Sequence, residues 1–275
     1  MGVINVTPDS FSGDGVMTAN DYVAAAVDLA AHMIADGADI IDIGGESSRP
    51  GATSISAEEE IRRVVPVITA IKKTAAGIPI AIDTVKAKVA EAAIDAGASI
   101  MNDISALTRD ANMAKLAAAR GAYVILMHNR SDAAVVTKDK KIGSQYEAPV
   151  YNDIVEDVVS ELSKRIESAR AAGVAEDKII VDPGLGFGKT VEQNCILINQ
   201  LDRLKAKLGR PVLIGPSRKS FIGRALDLPV EARLEGTAAA VAIGVLRGAD
   251  IVRVHDVQFM ARVAAMARMI AFSGL

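Results

Sequence analysis

The chain has 275 residues, 50% hydrophobic and 24% charged, with a formal charge of −3 at pH 7. That balance excludes disorder as the main state and argues against a broad nucleic-acid-binding surface, while leaving room for a small basic pocket. A lone cysteine, Cys195, excludes an internal disulfide framework and a cysteine metal cluster. Aromatic residues make up only 3%, with no Trp, so the core is expected to be aliphatic and each Phe is worth locating.

No basic leader or long apolar run opens the chain, and the longest uncharged apolar stretch, near Thr237 to Leu246, falls short of the roughly 20 residues of a membrane span. A soluble cytoplasmic protein is expected. In chain order, short β-branched runs alternate with alanine-rich amphipathic stretches. The expected strands are Met1–Asn5, Asp39–Ile43, Pro79–Asp83, Ser99–Asn102, Ala122–Met127, Lys178–Asp182, Pro211–Gly215 and Asp250–Val254. Helices are expected after them over 20–36, 56–76, 86–96, 110–120, 150–172, 190–208, 231–247 and 256–271, with a shorter piece over Arg218–Ala225. Gly37, Gly97, Gly121, Gly173 and Gly248 each follow a helix and precede a strand, as a helix-terminating glycine does.

Mostly apolar strands interleaved with helices imply a parallel sheet covered on both faces. Eight such units predict an α/β fold of the (β/α)8 TIM-barrel class, one domain over residues 1–275. A doubly wound open sheet is the rival, disfavoured because no strand leads into a dinucleotide fingerprint. Three connections after strands are long: 6–19, 44–55 and 128–149. Long loops in that position are binding loops or lids.

In a parallel barrel the chemistry sits where strands end. Those ends read Asn5, Asp42, Asp83, Asn102 with Asp103, Met127 with His128, Asp182, Ser217 to Ser220, and Arg253 with His255. Any single Asp there reads first as a helix N-cap. The whole set does not, because caps do not call for Asn, Lys, Arg and His as well. Asp83, Asn102 and Asp182 suit the edge of a flat, nitrogen-rich heterocycle, since a buried carboxylate can accept two charge-assisted N–H bonds worth roughly 1.5–3 kcal/mol each. Lys219, Arg253 and His255 offer donors for a ring carbonyl and for phosphate, and a guanidinium can lie flat over a conjugated ring.

Other motifs fail inspection. Gly184 to Thr190 looks like a phosphate-binding loop, but Pro183 stands where its first glycine belongs, and Lys189 breaks the dinucleotide pattern. It still reads as a glycine-rich turn that lets a ligand approach the backbone. His32 reads as a surface or boundary residue and Cys195 as inert packing inside a helix.

Taken together, Met1 to Ser12, Asp42 to Gly51, Ile82-Asp-Thr84, Asn102-Asp103, Leu126-Met-His128, Asp182 to Thr190, Ser217 to Gly223 and Arg253-Val-His-Asp256 resemble the dihydropteroate synthases over essentially the whole chain. The resemblance implies a folate-pathway transferase. Such enzymes join 6-hydroxymethyl-7,8-dihydropterin pyrophosphate to p-aminobenzoate with release of pyrophosphate, and sulfonamides compete for the aminobenzoate site. It further implies pterin contacts from Asp83, Asn102, Met127, Asp182, Phe187, Lys219 and Arg253. Asn5, Arg253 and His255 would bind pyrophosphate, with Asn5 helping to hold Mg2+. Phe11, Ser48, Pro50, Lys219 and Ser220 would meet the aminobenzoate. Relatives are commonly homodimers, and no nucleic acid or membrane is implied as a partner.

No Ser–His or Cys–His nucleophile is visible, and none is needed, because an aromatic amine is already unprotonated at neutral pH. Three departures from the family pattern bear on loop geometry and sulfonamide affinity. The first strand is expected to begin at Met1, where relatives usually carry a short hairpin, and the expectation is an uncovered barrel floor or a truncated chain. Gly13 and Asp14 reverse the usual order, and Ser48 replaces a usual Thr. Two other readings compete: a pterin-dependent methyltransferase domain, which has little use for Ser217 to Ser220, and a non-catalytic pterin-binding paralogue.

Overall fold

The structure, a computed structural model, describes residues 1–8, 15–18, 21–48, 51–131, 135–139 and 141–273. In chain order it runs β1 (Gly2–Asn5), α1 (Tyr22–Ala35), β2 (Ile41–Gly44), α2 (Ala57–Thr74), β3 (Ile80–Asp83), α3 (Ala87–Asp95), β4 (Ile100–Asp103), α4 (Met113–Arg120) and β5 (Tyr123–Met127). Then come β6 (Val136–Thr137), β7 (Gln145–Tyr146), α5 (Ile154–Ala171), β8 (Ile179–Asp182), α6 (Val191–Asn199), α7 (Leu201–Leu208), β9 (Leu213–Ile214), α8 (Ser220–Leu226), α9 (Leu234–Leu246), β10 (Ile251–Val252) and α10 (Val257–Phe272).

Two compact units divide these residues. The first holds Met1–Ser48, Ala52–Met127 and Arg165–Ile180. Its sheet runs β1-β2-β3-β4-β5-β8, with the pairs from β1 to β5 all parallel. That order follows the sequence without a reversal, so the switch point that defines a doubly wound sheet is missing from it. Ile4, Ile43, Ile82 and Met101 are register partners and fully buried, which bears out the aliphatic core.

The second unit takes in 128–164 and the chain from 181 onward. Here Val181 bridges to Val212, and β9 pairs in parallel with β10. The expected strands at 211–215 and 250–254 shrink to two residues each. The expected helix over 190–208 is broken at Gln200, which leaves helical geometry at φ −113°, ψ 26°. Leu197, Leu201, Leu204 and Leu208 carry a helical period straight through that break, so the apolar pattern does not mark it. The long 128–149 connection contains an antiparallel hairpin, with Val136 opposite Tyr146.

Helix ends follow the local chemistry. Ser56 accepts from the Glu59 N–H at the start of α2, whose first turn holds Glu58, Glu59 and Glu60 and whose last holds Lys72 and Lys73. Thr190 and Gln193 form a reciprocal capping box on α6. All five predicted glycines terminate their helices at positive φ. At Gly37, for example, the Gly37 N–H reaches Ile34 O, and Ala38 N–H reaches Met33 O. His32 is exposed, as expected. Cys195 is also exposed, which corrects the reading of it as packing.

Candidate active site

The first unit places three of the expected residues on one face. Asn5, Gly44, Asp83 and Asn102 are successive partners across β1 to β4, so the pleat sends their side chains to the same side of the sheet. Asn5, Asp83 and Asn102 each lie in their strand's last two residues, the first two half-buried and Asn102 buried. Asp42 was expected at a strand end, but Gly44 extends β2 past it. Asp42 therefore lies one rung lower on the same face, fully buried, and accepts long contacts from the Asn102 amide at 3.3 and 3.4 Å. Asp103 serves its own turn instead of a ligand: its carboxylate accepts Ser105 N–H and O–H, both at 2.6 Å, and Leu107 N–H at 3.0 Å. Burial pushes the Asp103 carboxyl up, against the pull of these bonds and of Arg109. Met127 closes β5 and is buried.

The second unit builds its site on the turn after β8. Asp182 ends that strand at 6% exposure, and its carboxylate accepts the Gly184 N–H at 2.7 Å. Burial raises its pKa, opposed by the charges of Lys219, Arg253 and Lys189 and by the Gly184 bond. Gly184 is demanded twice: its φ is +70°, and a Cβ there would stand 1.9 Å from His128 O. Phe187 stacks on Tyr146 of the hairpin, ring centroids 6.0 Å apart, and the Lys219 ammonium lies 4.7 Å from the Phe187 ring centroid. That ammonium also donates to Leu185 O.

Two further loops of the unit are tied to one another. Arg218, at φ +54°, forms a bidentate pair with Asp256, its Nε donating to Oδ2 at 2.9 Å. Ser217 Oγ accepts the His255 backbone N–H at 3.2 Å and lies 2.9 Å from His255 Nδ1. Ser217 can then give its own proton to Nδ1, which puts the ring proton on Nε2. Lys219 is the N-cap of α8 and Ser220 its first residue, both half-buried. Arg253 follows β10 directly.

Phe11 and Pro50, with Gly13 and Asp14, lie outside the described residues, whereas Ser48 is half-buried at the edge of its loop. Among the described residues no three His, Cys, Asp or Glu side chains converge as a metal cage. Sequence reasoning passed over the Arg218–Asp256 pair, although both residues sit inside recognised motifs. It also dismissed Lys189 together with the phosphate loop, yet Lys189 is 4% exposed.

Comparison with known proteins identifies the family. The profile of the pterin binding enzyme family matches residues 1–255. A dihydropteroate synthase of Clostridium beijerinckii is 49% identical over 271 residues, 98% of this chain and 93% of that one. The chain belongs to the dihydropteroate synthases. A solved dihydropteroate synthase of Clostridium difficile, crystallised in the presence of pteroic acid, superposes with a TM-score of 0.86 at 43% identity, covering 98% of this chain and 95% of that one. A Xanthomonas albilineans dihydropteroate synthase with 4-aminobenzoic acid gives 0.87 at 38% identity, covering 99% and 92%. Like them, this dihydropteroate synthase is a transferase of folate biosynthesis, and its fold class is the (β/α)8 barrel. Among the described residues no helix is long and apolar enough to cross a membrane.

Proposed function

We propose that this synthase bonds the amino nitrogen of p-aminobenzoate to the methylene carbon of 6-hydroxymethyl-7,8-dihydropterin pyrophosphate. The carbon–oxygen bond to pyrophosphate breaks, the amine gives up a proton, and 7,8-dihydropteroate and pyrophosphate leave. The observation that carries this reading is Asp182, a buried carboxylate on a glycine-rich turn, with three cations acting on it. A pterin edge offers paired N–H donors to such a group, which desolvation otherwise makes costly to keep charged.

In this reading Asp83, Asn102 and Asp182 hold the pterin edge and Lys219 bonds the ring. Arg253 stacks over it, and Met127 and Phe187 shape its surroundings. Asn5, Arg253 and His255 take the pyrophosphate, and the Ser217 contact supports His255 in presenting Nε2–H to it. Phe11, Ser48, Pro50, Lys219 and Ser220 meet the aminobenzoate, where a sulfonamide competes. Asn5 offers one hard carboxamide oxygen, which suits Mg2+, an ion usually held by few protein ligands beside phosphate oxygens and water. When bound, that ion neutralises charge on the departing pyrophosphate. Arg253 and His255 stabilise the same charge, and the electron-rich pterin delocalises the cation left behind, so the substitution is dissociative, with the pterin bound first. The long loops exclude water that would trap that cation.

Residues 1–275 act as one pterin-binding domain, in the cytoplasm, where a free exposed thiol such as Cys195 is stable. A homodimer is supported by the apolar side chains that α10 exposes, among them Met266, Met269 and Phe272. The test is pyrophosphate release from the pterin pyrophosphate, with and without p-aminobenzoate. Release coupled to formation of dihydropteroate is expected; folded protein that makes no product would fit the non-catalytic paralogue instead.

A further inference from the structure

Lys189 is a buried charge to which the reaction above gives no direct contact with substrate. Its ammonium lies 3.0 Å from His128 Nδ1, 2.9 Å from Gly184 O and 3.0 Å from Phe187 O. As an ammonium, Lys189 has three protons to donate, and these three acceptors account for them. While charged, Lys189 therefore has no donor left to offer a phosphate.

What the ammonium holds is the turn itself. Gly184 O and Phe187 O are its two ends, already joined by the Phe187 N–H donating to Gly184 O at 3.1 Å. The residue whose carbonyl Lys189 grips, Gly184, is also the one whose N–H donates to the Asp182 carboxylate. Behind it stands a chain of support. With Nδ1 accepting from the ammonium, the His128 proton sits on Nε2, which lies 3.1 Å from Glu161 Oε2, close but poorly aligned. Glu161 in turn accepts from Arg130 Nε at 2.8 Å. The Arg130 guanidinium lies 4.2 Å from the Tyr151 ring centroid, and the Tyr151 hydroxyl donates to Gly188 O at 3.0 Å. The contacts thus return to the turn from which they set out.

We propose that Lys189, seated on His128, is a positioning residue for the pterin subsite. It fixes the Gly184–Gly188 turn, and through the Gly184 peptide it orients the carboxylate of Asp182. This rests on the assignment of Asp182 to pterin binding. The charged groups that face Lys189 are Asp182 of β8, His128 and Arg130 of the segment after β5, Glu161 of α5 and Lys219 at the start of α8. Only Asp182 and Glu161 among these favour the ammonium.

The test compares wild type with Lys189→Met, His128→Gln, Asp182→Asn and the Lys189→Met/Asp182→Asn double variant. Calorimetric binding of 6-hydroxymethylpterin is read beside KM for each substrate and the melting temperature. Lys189→Met removes the three donors while keeping the length of the stem, so pterin binding is expected to weaken about tenfold, with aminobenzoate KM changing by less than about twofold. In the Asp182→Asn background the same change is expected to add less than about twofold, because the orienting effect has lost its object. A residue that only held the fold together would lower both affinities and add its full effect to Asp182→Asn. Folded Lys189→Met with unchanged pterin affinity, or full additivity, overturns the proposal. Should Lys189→Met not fold, His128→Gln decides: a selective loss of pterin affinity of roughly threefold supports the proposal and no change overturns it. Wild-type protein that binds no pterin defeats the subsite assignment, and the proposal with it; that outcome is separate from a wild type that binds and a variant that binds equally well.

Discussion

Lys86 and Lys189 both leave solvent at the start of a helix, where the helix dipole disfavours a cation, and they meet different partners there. Lys86, the N-cap of α3, lies 2.7 Å from Glu46 and 2.7 Å from Glu60, whose side chain is 1% exposed. Lys189 precedes the N-cap of α6 and meets two carbonyls and an imidazole. Burial would lower the pKa of each. At Lys86 the hydrogen bonds and charges of the two glutamates outweigh that effect and raise it. At Lys189 burial prevails over Asp182, and the value falls to about 7. Hydrogen-bond acceptors and more distant anions can shape a buried ammonium, but anions bonded directly to it keep it strongly charged.

Lys86→Met tests the first half of this contrast and has the largest expected effect on stability. It leaves Glu60 buried with its counter-ion gone, a change that costs about 3–5 kcal/mol when one partner of a buried pair is removed. Urea unfolding should show a lower midpoint at an unchanged slope. A loss below about 1 kcal/mol would mean that water reaches Glu60 and that the pair behaves as a surface one.

The second half appears as a pH dependence. Unfolded, a lysine keeps its proton to about pH 10.4; folded, Lys189 releases it at about 7. Between those values the unfolded chain binds the extra proton, so stability rises with pH, by at most ~1.4 kcal/mol per unit for one proton. The penalty is fully present below the folded value and gone above the unfolded one. Unfolding of wild type and Lys189→Met from about pH 6 to about pH 9 isolates that slope, because the other titrating groups are shared. Wild type should gain on the variant as pH rises. The difference between wild type and Lys86→Met should stay level over the same range, since a raised lysine loses its contribution only as pH passes through its folded value. Two level differences would remove the distinction between the lysines.

Neither cluster was legible in the sequence, although much around them was. The glycine stops at Gly37, Gly97, Gly121, Gly173 and Gly248 were readable because a positive φ after a helix is a local demand. The shared face of Asn5, Asp83 and Asn102 follows from strand ends and a period of two. Asp42 was misplaced because Gly44, an ambiguous residue at a strand edge, belongs to the strand. The hairpin of β6 and β7 is too short to show any alternation. Lys189 meets His128 from 61 residues away, and Lys86 meets Glu46 from 40, distances over which no local period carries information. What the sequence did offer was an oddity: a lysine after three glycines in a loop that fails as a phosphate binder.

The smallest of these effects concerns the loop that Lys86 helps to hold, and it mirrors the Lys189 experiment. One oxygen of Glu46, Oε2, accepts the Lys86 ammonium at 2.7 Å, the Ile55 N–H at 2.7 Å and the Ser54 hydroxyl at 3.1 Å. Those bonds draw the far end of the 44–55 connection back to its near end, where Arg63 also holds Gly45 O at 3.0 Å. Glu46→Ala releases the far end while leaving Lys86 paired with Glu60, so its stability cost should be well below that of Lys86→Met. If Ser48 and Pro50 meet the aminobenzoate, that release raises aminobenzoate KM by roughly three- to tenfold, the scale of one or two lost hydrogen bonds, and spares pterin KM. The opposite split, with pterin KM rising alone, would move the loop to the other substrate and leave Glu46 and Lys189 serving the same one.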